Sequence, residues 1–181
     1  PKGDGRLPRV LPEAEVHQLL DEPLHDDDPP EIAARDAAVV ELLPGVLDSQ
    51  LRRDSGLTHF EYWVLAMLSE APERTLRMSN LAGRTSATLP RLSHVVSRLE
   101  GRGLVERFPC PEDKRAVNAR LTASGWTTVV AAAPGHVAQV RASVVDALTP
   151  AQLEALGDIA DAILERIDPE ALSVVRREAA R

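Results

Sequence analysis

A chain of 181 residues suits one domain with tails and is long enough to bury a real core. Apolar residues make up 44% but aromatic ones only 3%, so the core must rest on Ala, Leu and Val, which favours packed helices over sheets. The lone cysteine, Cys110, excludes an internal disulfide and a cysteine-based zinc site, and the net charge of -7, taken only as a sum, disfavours a nucleic-acid partner.

Residues 1–30 are rich in proline and contain His25-Asp26-Asp27-Asp28-Pro29-Pro30, which predicts an N-terminal arm, loosely ordered around a short helix near 12–20. The polar start, from Pro1 to Arg9, lacks the charged-then-apolar order of a secretory leader, and Pro1 itself points to a trimmed beginning. No apolar run reaches the length of a membrane span, so a cytoplasmic protein is expected.

From 31 to 54 the apolar residues Ala34, Ala38, Leu42 and Val46 recur at helical spacing, with Pro44-Gly45 expected to kink the helix. Thr58 and Glu61 form a capping box that opens the next helix, and Ala71-Pro72 stops it. A short helix over 78–85 and a polar turn at Ser86-Ala87-Thr88 follow. Pro90 then suits the first position of a third helix, 90–102, closed by Gly103 as a left-handed cap. Leu92, Val95, Val96 and Leu99 give that helix one buried stripe, and Arg91, Ser93, His94, Ser97 and Arg98 occupy the other face.

Residues 104–108 and 117–121 alternate apolar and polar as two strands, with 109–115 as the hairpin tip. A helix followed by a charged hairpin is the order of a winged helix. Beyond Thr122 helix returns, with an interruption expected at Pro134-Gly135 and a second capping box at Thr149 to Gln152; Asp168-Pro169-Glu170 opens a last helix. The fold class is therefore mainly α with a small β wing: a winged helix-turn-helix whose N- and C-terminal helices form a dimerisation region. The predicted organisation is an arm at 1–30, helical dimerisation segments at 31–56 and 122–181, and a DNA-binding winged helix at 57–121. These outer helices hold more apolar surface than a small winged helix can cover, which implies a homodimer, an intrachain bundle being the alternative.

Charge is polarised along the chain. Residues 73–120 carry ten Lys/Arg and five Asp/Glu, a balance of +5, against -12 for the remainder. Arginine reads guanine best by a bidentate contact, and Arg91, His94 and Arg98 are spaced to share one exposed face, though a plain solvated face has the same spacing. In Glu112-Asp113-Lys114-Arg115 the Asp113 carboxylate can orient the Arg115 guanidinium for the minor groove, against the simpler reading of a charged turn. Arg74, Arg77, Arg84, Arg102 and Lys114 are candidates for phosphate contacts. The histidines (His17, His25, His59, His94, His136) form no i, i+4 pair, and no phosphate loop or nucleophile signature is present. The expectation is no enzyme, no cofactor and no metal.

Leu57-Thr58 followed by Leu65, Leu81-Ala82, Val96-Ser97-Arg98-Leu99-Glu100, Gly103-Leu104-Val105-Glu106-Arg107, Asp113-Lys114-Arg115 and Leu121-Thr122-Ala123-Ser124-Gly125, in this order, resemble the multiple antibiotic resistance regulator (MarR) family over about 36–165. The resemblance implies a homodimeric repressor whose two winged domains read successive major grooves of a pseudo-palindromic double-stranded operator. The recognition helix would be 90–102, the wing arginine Arg115 and its orienting acid Asp113. It also implies an effector pocket near His59, Tyr62 and Trp63, although Trp63 reads more readily as core. The longer arm, the two Pro-Gly interruptions and Leu89-Pro90 in place of a Ser/Thr opening depart from the family pattern. Cys110, between two prolines in the wing, lies away from where redox-sensing relatives carry theirs. A winged helix serving only as a protein-interaction module is the competing function, and a ligand-regulated enzyme a weaker one.

Overall fold

The computed structural model describes residues 30–169 apart from 112 and 114, with side chains from residue 37 onward. The arm with its short helix, Lys114 and the helix expected after Asp168 fall outside the described residues. The chain divides into two compact units, 1–42 and 43–181. Helix α1 (Pro30–Ser55) supplies the described part of the first unit and the opening of the second.

Helix α1 continues through Pro44. In the second unit it buries Leu47, Gln50 and Leu51. Helix α2 (His59–Ser69) starts at the capping box as expected: the Thr58 hydroxyl accepts from the Glu61 amide at 3.0 Å, and Glu61 Oε2 accepts from the Thr58 amide at 2.9 Å. A single 3-10 turn (Pro72–Arg74) leads into strand β1 (Thr75–Arg77), which the sequence reading did not anticipate. Helices α3 (Met78–Arg84) and α4 (Leu89–Gly101) follow, the second capped by Thr88, with Gly103 beyond it at φ +70°.

Strands β2 (Val105–Pro109) and β3 (Val117–Leu121) pair antiparallel from Val105↔Leu121 to Pro109↔Val117, and β1 joins the other side of β3 through Leu76↔Ala119. Helix α5 (Ala123–Ser143) passes through Pro134 without the expected interruption. Pro134 and Pro44 both lie exposed, where water can take up the carbonyl that each proline leaves without a donor. At the next residue, a Cβ on Gly135 would approach Gln50 Nε2 of α1 to 3.3 Å, so the two helices pass closely there. A 3-10 turn (Val145–Ala147) then leads to α6 (Pro150–Ile167), which opens on the Thr149–Gln152 capping box.

The core joins Leu51 of α1, Leu57, Val64, Leu65 and Leu68 around α2, Leu81 of α3, Leu92, Val96 and Leu99 of α4, and Val105, Ala119 and Leu121 of the sheet. Helix α6 contributes no buried residue, and its Leu156, Ile159, Ile163 and Ile167 are exposed at 42%, 56%, 51% and 75%. Their spacing places them on one stripe. Among the described residues, no helix is long and apolar enough to cross a membrane.

Candidate nucleic-acid interface

Helix α4 meets the core through the stripe predicted for it, Leu92, Val95, Val96 and Leu99, and this fixes which face is left outside. Ser93, His94 and Ser97 are exposed there. The arginines of the same helix are not free rods. The Arg91 guanidinium carbon lies 4.4 Å from the centre of the Phe60 ring. Arg98 Nη2 lies 3.2 Å from Glu61 Oε1, and Arg102 Nη1 lies 3.8 Å from Glu61 Oε2 while donating to the Gly56 carbonyl at 3.2 Å. Phe60 and Glu61 are consecutive, so the first turn of α2 holds α4 at two points.

In the wing, the geometry differs from the expected one. Asp113 Oδ1 accepts a hydrogen bond from the backbone amide of Arg115 at 3.0 Å, and the Ala116 amide donates to the Asp113 carbonyl. The Asp113 carboxylate therefore shapes the turn instead of gripping the guanidinium. A carboxylate two residues before an amide closes an Asx turn readily, and this local bond competes with any side-chain pair. Arg115 is exposed beyond it.

Between the wing and α4 lies a groove of about 440 Å³ lined by Arg77, Ser79, Leu89, Ser93, Arg107 and Arg115, among others. It brings together three of the residues picked out from sequence: Ser93 from α4, Arg115 from the wing and Arg77 from β1. Arg107 joins them without a local signal in the sequence. It sits in an alternating strand, and only the fold turns it toward the groove while Glu100 accepts from its Nε at 2.9 Å. That bond, together with the Arg107 backbone amide and charge, holds the Glu100 carboxyl below the usual range despite some burial.

The remaining candidates are placed apart from this groove's lining. Arg74 adopts φ +54° and stacks its guanidinium 3.9 Å from the Trp126 ring centre at the start of α5. Arg84 is exposed in the last turn of α3.

Of the three residues expected to line an effector pocket, His59 and Tyr62 come together around His136. The His136 ring centre lies 5.7 Å from that of His59 and 4.6 Å from that of Tyr62. Trp63 is instead 42% exposed. Burial pushes the His59 pKa down against the opposing charge of Asp48, and burial followed by the neighbouring His59 pushes His136 down. Burial also raises the Tyr62 phenol. Asp48 links the cluster to α1, because its Oδ1 accepts from the His59 amide at 2.8 Å. Burial alone would raise its carboxyl, but the bonds from Arg52 and the His59 amide outweigh that and lower it. Among the described residues, no group of three His, Cys, Asp or Glu side chains could hold a metal ion.

A core-backed helix with a polar outer face, flanked by a basic hairpin on a three-stranded sheet, defines a winged helix-turn-helix protein. Residues 57–117 match the MarR family. Sco3205 of Streptomyces coelicolor, a MarR family transcriptional regulator solved in complex with DNA, is 43% identical with a TM-score of 0.73, over 78% of this chain and 92% of that one. AbsC, a MarR family transcriptional regulator of the same organism, is 32% identical with a TM-score of 0.71, over 90% of this chain and all of its own (100%). The HTH-type transcriptional repressor YetL of Bacillus subtilis is 29% identical over 87 residues, which are 48% of this chain and 52% of YetL. The chain thus spans about half the length of the curated relatives it matches. The chain belongs to the MarR family.

Proposed function

We propose that this chain is a homodimeric, sequence-specific regulator of transcription that occupies a pseudo-palindromic duplex and represses by doing so. The observation that carries the reading is the groove in which Ser93 of α4, Arg115 of the wing and Arg77 of β1 meet on one side of the second unit. A helix with exposed Ser93, His94 and Ser97 suits the major groove, where hydrogen-bonding side chains meet base edges, and Arg115 at a hairpin tip suits the narrow minor groove. Arg77, Arg84 and Lys114 supply phosphate contacts. The DNA complex of Sco3205 supports the partner, and the repressor name of YetL supports the direction of control.

The unburied stripe Leu156, Ile159, Ile163 and Ile167 supports the dimer, since a helix with no buried residue and one apolar stripe is covered most simply by its own copy. The reading implies a cytoplasmic protein with no catalytic step of its own. Selection of bound sequences from a random duplex pool at two salt concentrations tests it. A pseudo-palindromic consensus and a steep fall of affinity with salt are expected, each neutralised phosphate adding about -0.9 to the log-log slope. A folded dimer that enriches no sequence and shows a slope near zero fits a protein-interaction module instead.

A further inference from the structure

Glu61 is a carboxylate only 6% exposed, and both its oxygens are engaged: Oε2 by the Thr58 amide at 2.9 Å, and Oε1 by Arg98 Nη2 at 3.2 Å, with Arg102 Nη1 at 3.8 Å from Oε2. The Arg98 side chain is 49% exposed and belongs to the helix proposed to enter the major groove. An unrestrained arginine there would bind any phosphate, whatever the bases beside it. Withdrawing it from Glu61 uncovers a buried negative charge, and removing one partner of a buried pair is costly because the other charge is left uncompensated.

We propose that Glu61 is a specificity-determining residue that withholds Arg98 from the DNA backbone. The proposal rests on the DNA-binding reading above. Glu61 suppresses sequence-independent affinity, so the contacts made by Ser93, His94, Ser97 and Arg115 decide which duplex is held. Arg98 also serves as a tie between α4 and the start of α2.

The test measures binding of a labelled mixed-sequence duplex across a salt series by the full chain and by the variants Glu61→Gln, Arg98→Ala and the double substitution. Glutamine keeps the length of the side chain and the capping-box acceptor for the Thr58 amide, so the fold is retained while the charge is lost. Glu61→Gln is expected to bind this duplex about eightfold more tightly at about 0.1 M salt, with a log-log slope steeper by about 0.9, the signature of one added phosphate contact. Adding Arg98→Ala to it should abolish the gain. Arg98→Ala alone should leave affinity within about twofold of the parent and the slope unchanged, because that charge is already spent on Glu61.

A purely structural role for Glu61 predicts the opposite, weaker binding at the parent's slope, and that result overturns the proposal. So does a loss of about tenfold or more in Arg98→Ala alone. This second variant leaves Arg102 Nη1 3.8 Å from Glu61 Oε2, so the carboxylate keeps a cation, and with its fold checked by a thermal melt it decides the matter even if Glu61→Gln does not fold. A parent protein that does not bind the duplex sinks the DNA-binding reading and this proposal together, whereas a parent that binds and a folded Glu61→Gln variant with an unchanged slope overturn the proposal alone.

Discussion

Gly125 lies directly against the carbonyl of Leu104: a Cβ placed on it would stand 2.1 Å from that oxygen and 2.7 Å from Leu121 Cδ1. The same carbonyl accepts from the Thr122 amide at 3.1 Å, and the Thr122 hydroxyl donates to the Gly103 carbonyl at 2.7 Å. The start of α5 is thereby bolted to the turn that follows α4. Gly125→Ala forces a backbone or core shift and should cost about 1–3 kcal/mol of stability, the range for overpacking. Denaturant titration checks this, and an unchanged midpoint would show that the contact relaxes freely.

Arg115→Ala should cost about 1–3 kcal/mol on a selected operator and relax its sequence preference, as expected of a base-reading or groove-inserting arginine. Asp113→Ala should weaken operator binding as well, through loss of the turn that presents Arg115, while leaving the melting temperature near that of the parent because the residue is exposed. Operator titrations paired with thermal melts separate the two effects. Tight binding by both variants would remove the wing from the interface.

The His59 and His136 pair predicts a pH dependence of stability. Both have pKa values lowered in the folded state, for His136 by burial and then by His59. The unfolded chain therefore takes up protons more readily than the folded one, and stability rises with pH through this range. It should be complete above the ordinary histidine pKa of about 6.5 and be lost progressively as pH falls below it. Asp48 and Tyr62 face the pair, but the lowered Asp48 carboxyl and the raised Tyr62 phenol titrate outside that window. His136→Phe should flatten the dependence between about pH 6.5 and 5. Melts that fall just as steeply in the variant would assign it to other groups.

Ile159→Glu and Ile163→Glu place charge in the centre of the exposed α6 stripe, at residues 56% and 51% exposed in the single chain. Sedimentation should show a monomer, and operator affinity should fall well beyond tenfold because paired half-sites are no longer engaged together. A dimer that persists unchanged would locate the subunit contact elsewhere.

The elements carried by local chemistry were legible in the sequence. Thr58 with Glu61, Thr149 with Gln152, Pro90 and Gly103 each announce a helix end through one or two neighbouring residues, and the structure keeps them, with Pro90 at the second helical position behind the Thr88 cap instead of the first. Features that depend on distant pairing were not. Strand β1 holds three residues, too few for alternation to register, and exists because Leu76 pairs with Ala119. Glu61 reads as a helix cap, and nothing near it in sequence points to Arg98. The spacing of Asp113 and Arg115 marks a turn, but does not say whether the carboxylate takes the amide, as it does here, or the guanidinium, since both lie within its reach. Pro134 signals an interruption by its own covalent structure, but the helix on either side of it is held by tertiary contacts such as the approach of Gly135 to Gln50.

Phe60 and Glu61 behave as two jaws on one short handle, closing on Arg91 and Arg98 about two helical turns apart. A rod gripped at two such points can neither roll about its axis nor slide lengthwise without opening one of them. The handle is moored to α1 by the bond from the His59 amide to Asp48. A displacement of α1 at that mooring must therefore either break the Asp48 bond or be carried by the turn that grips α4.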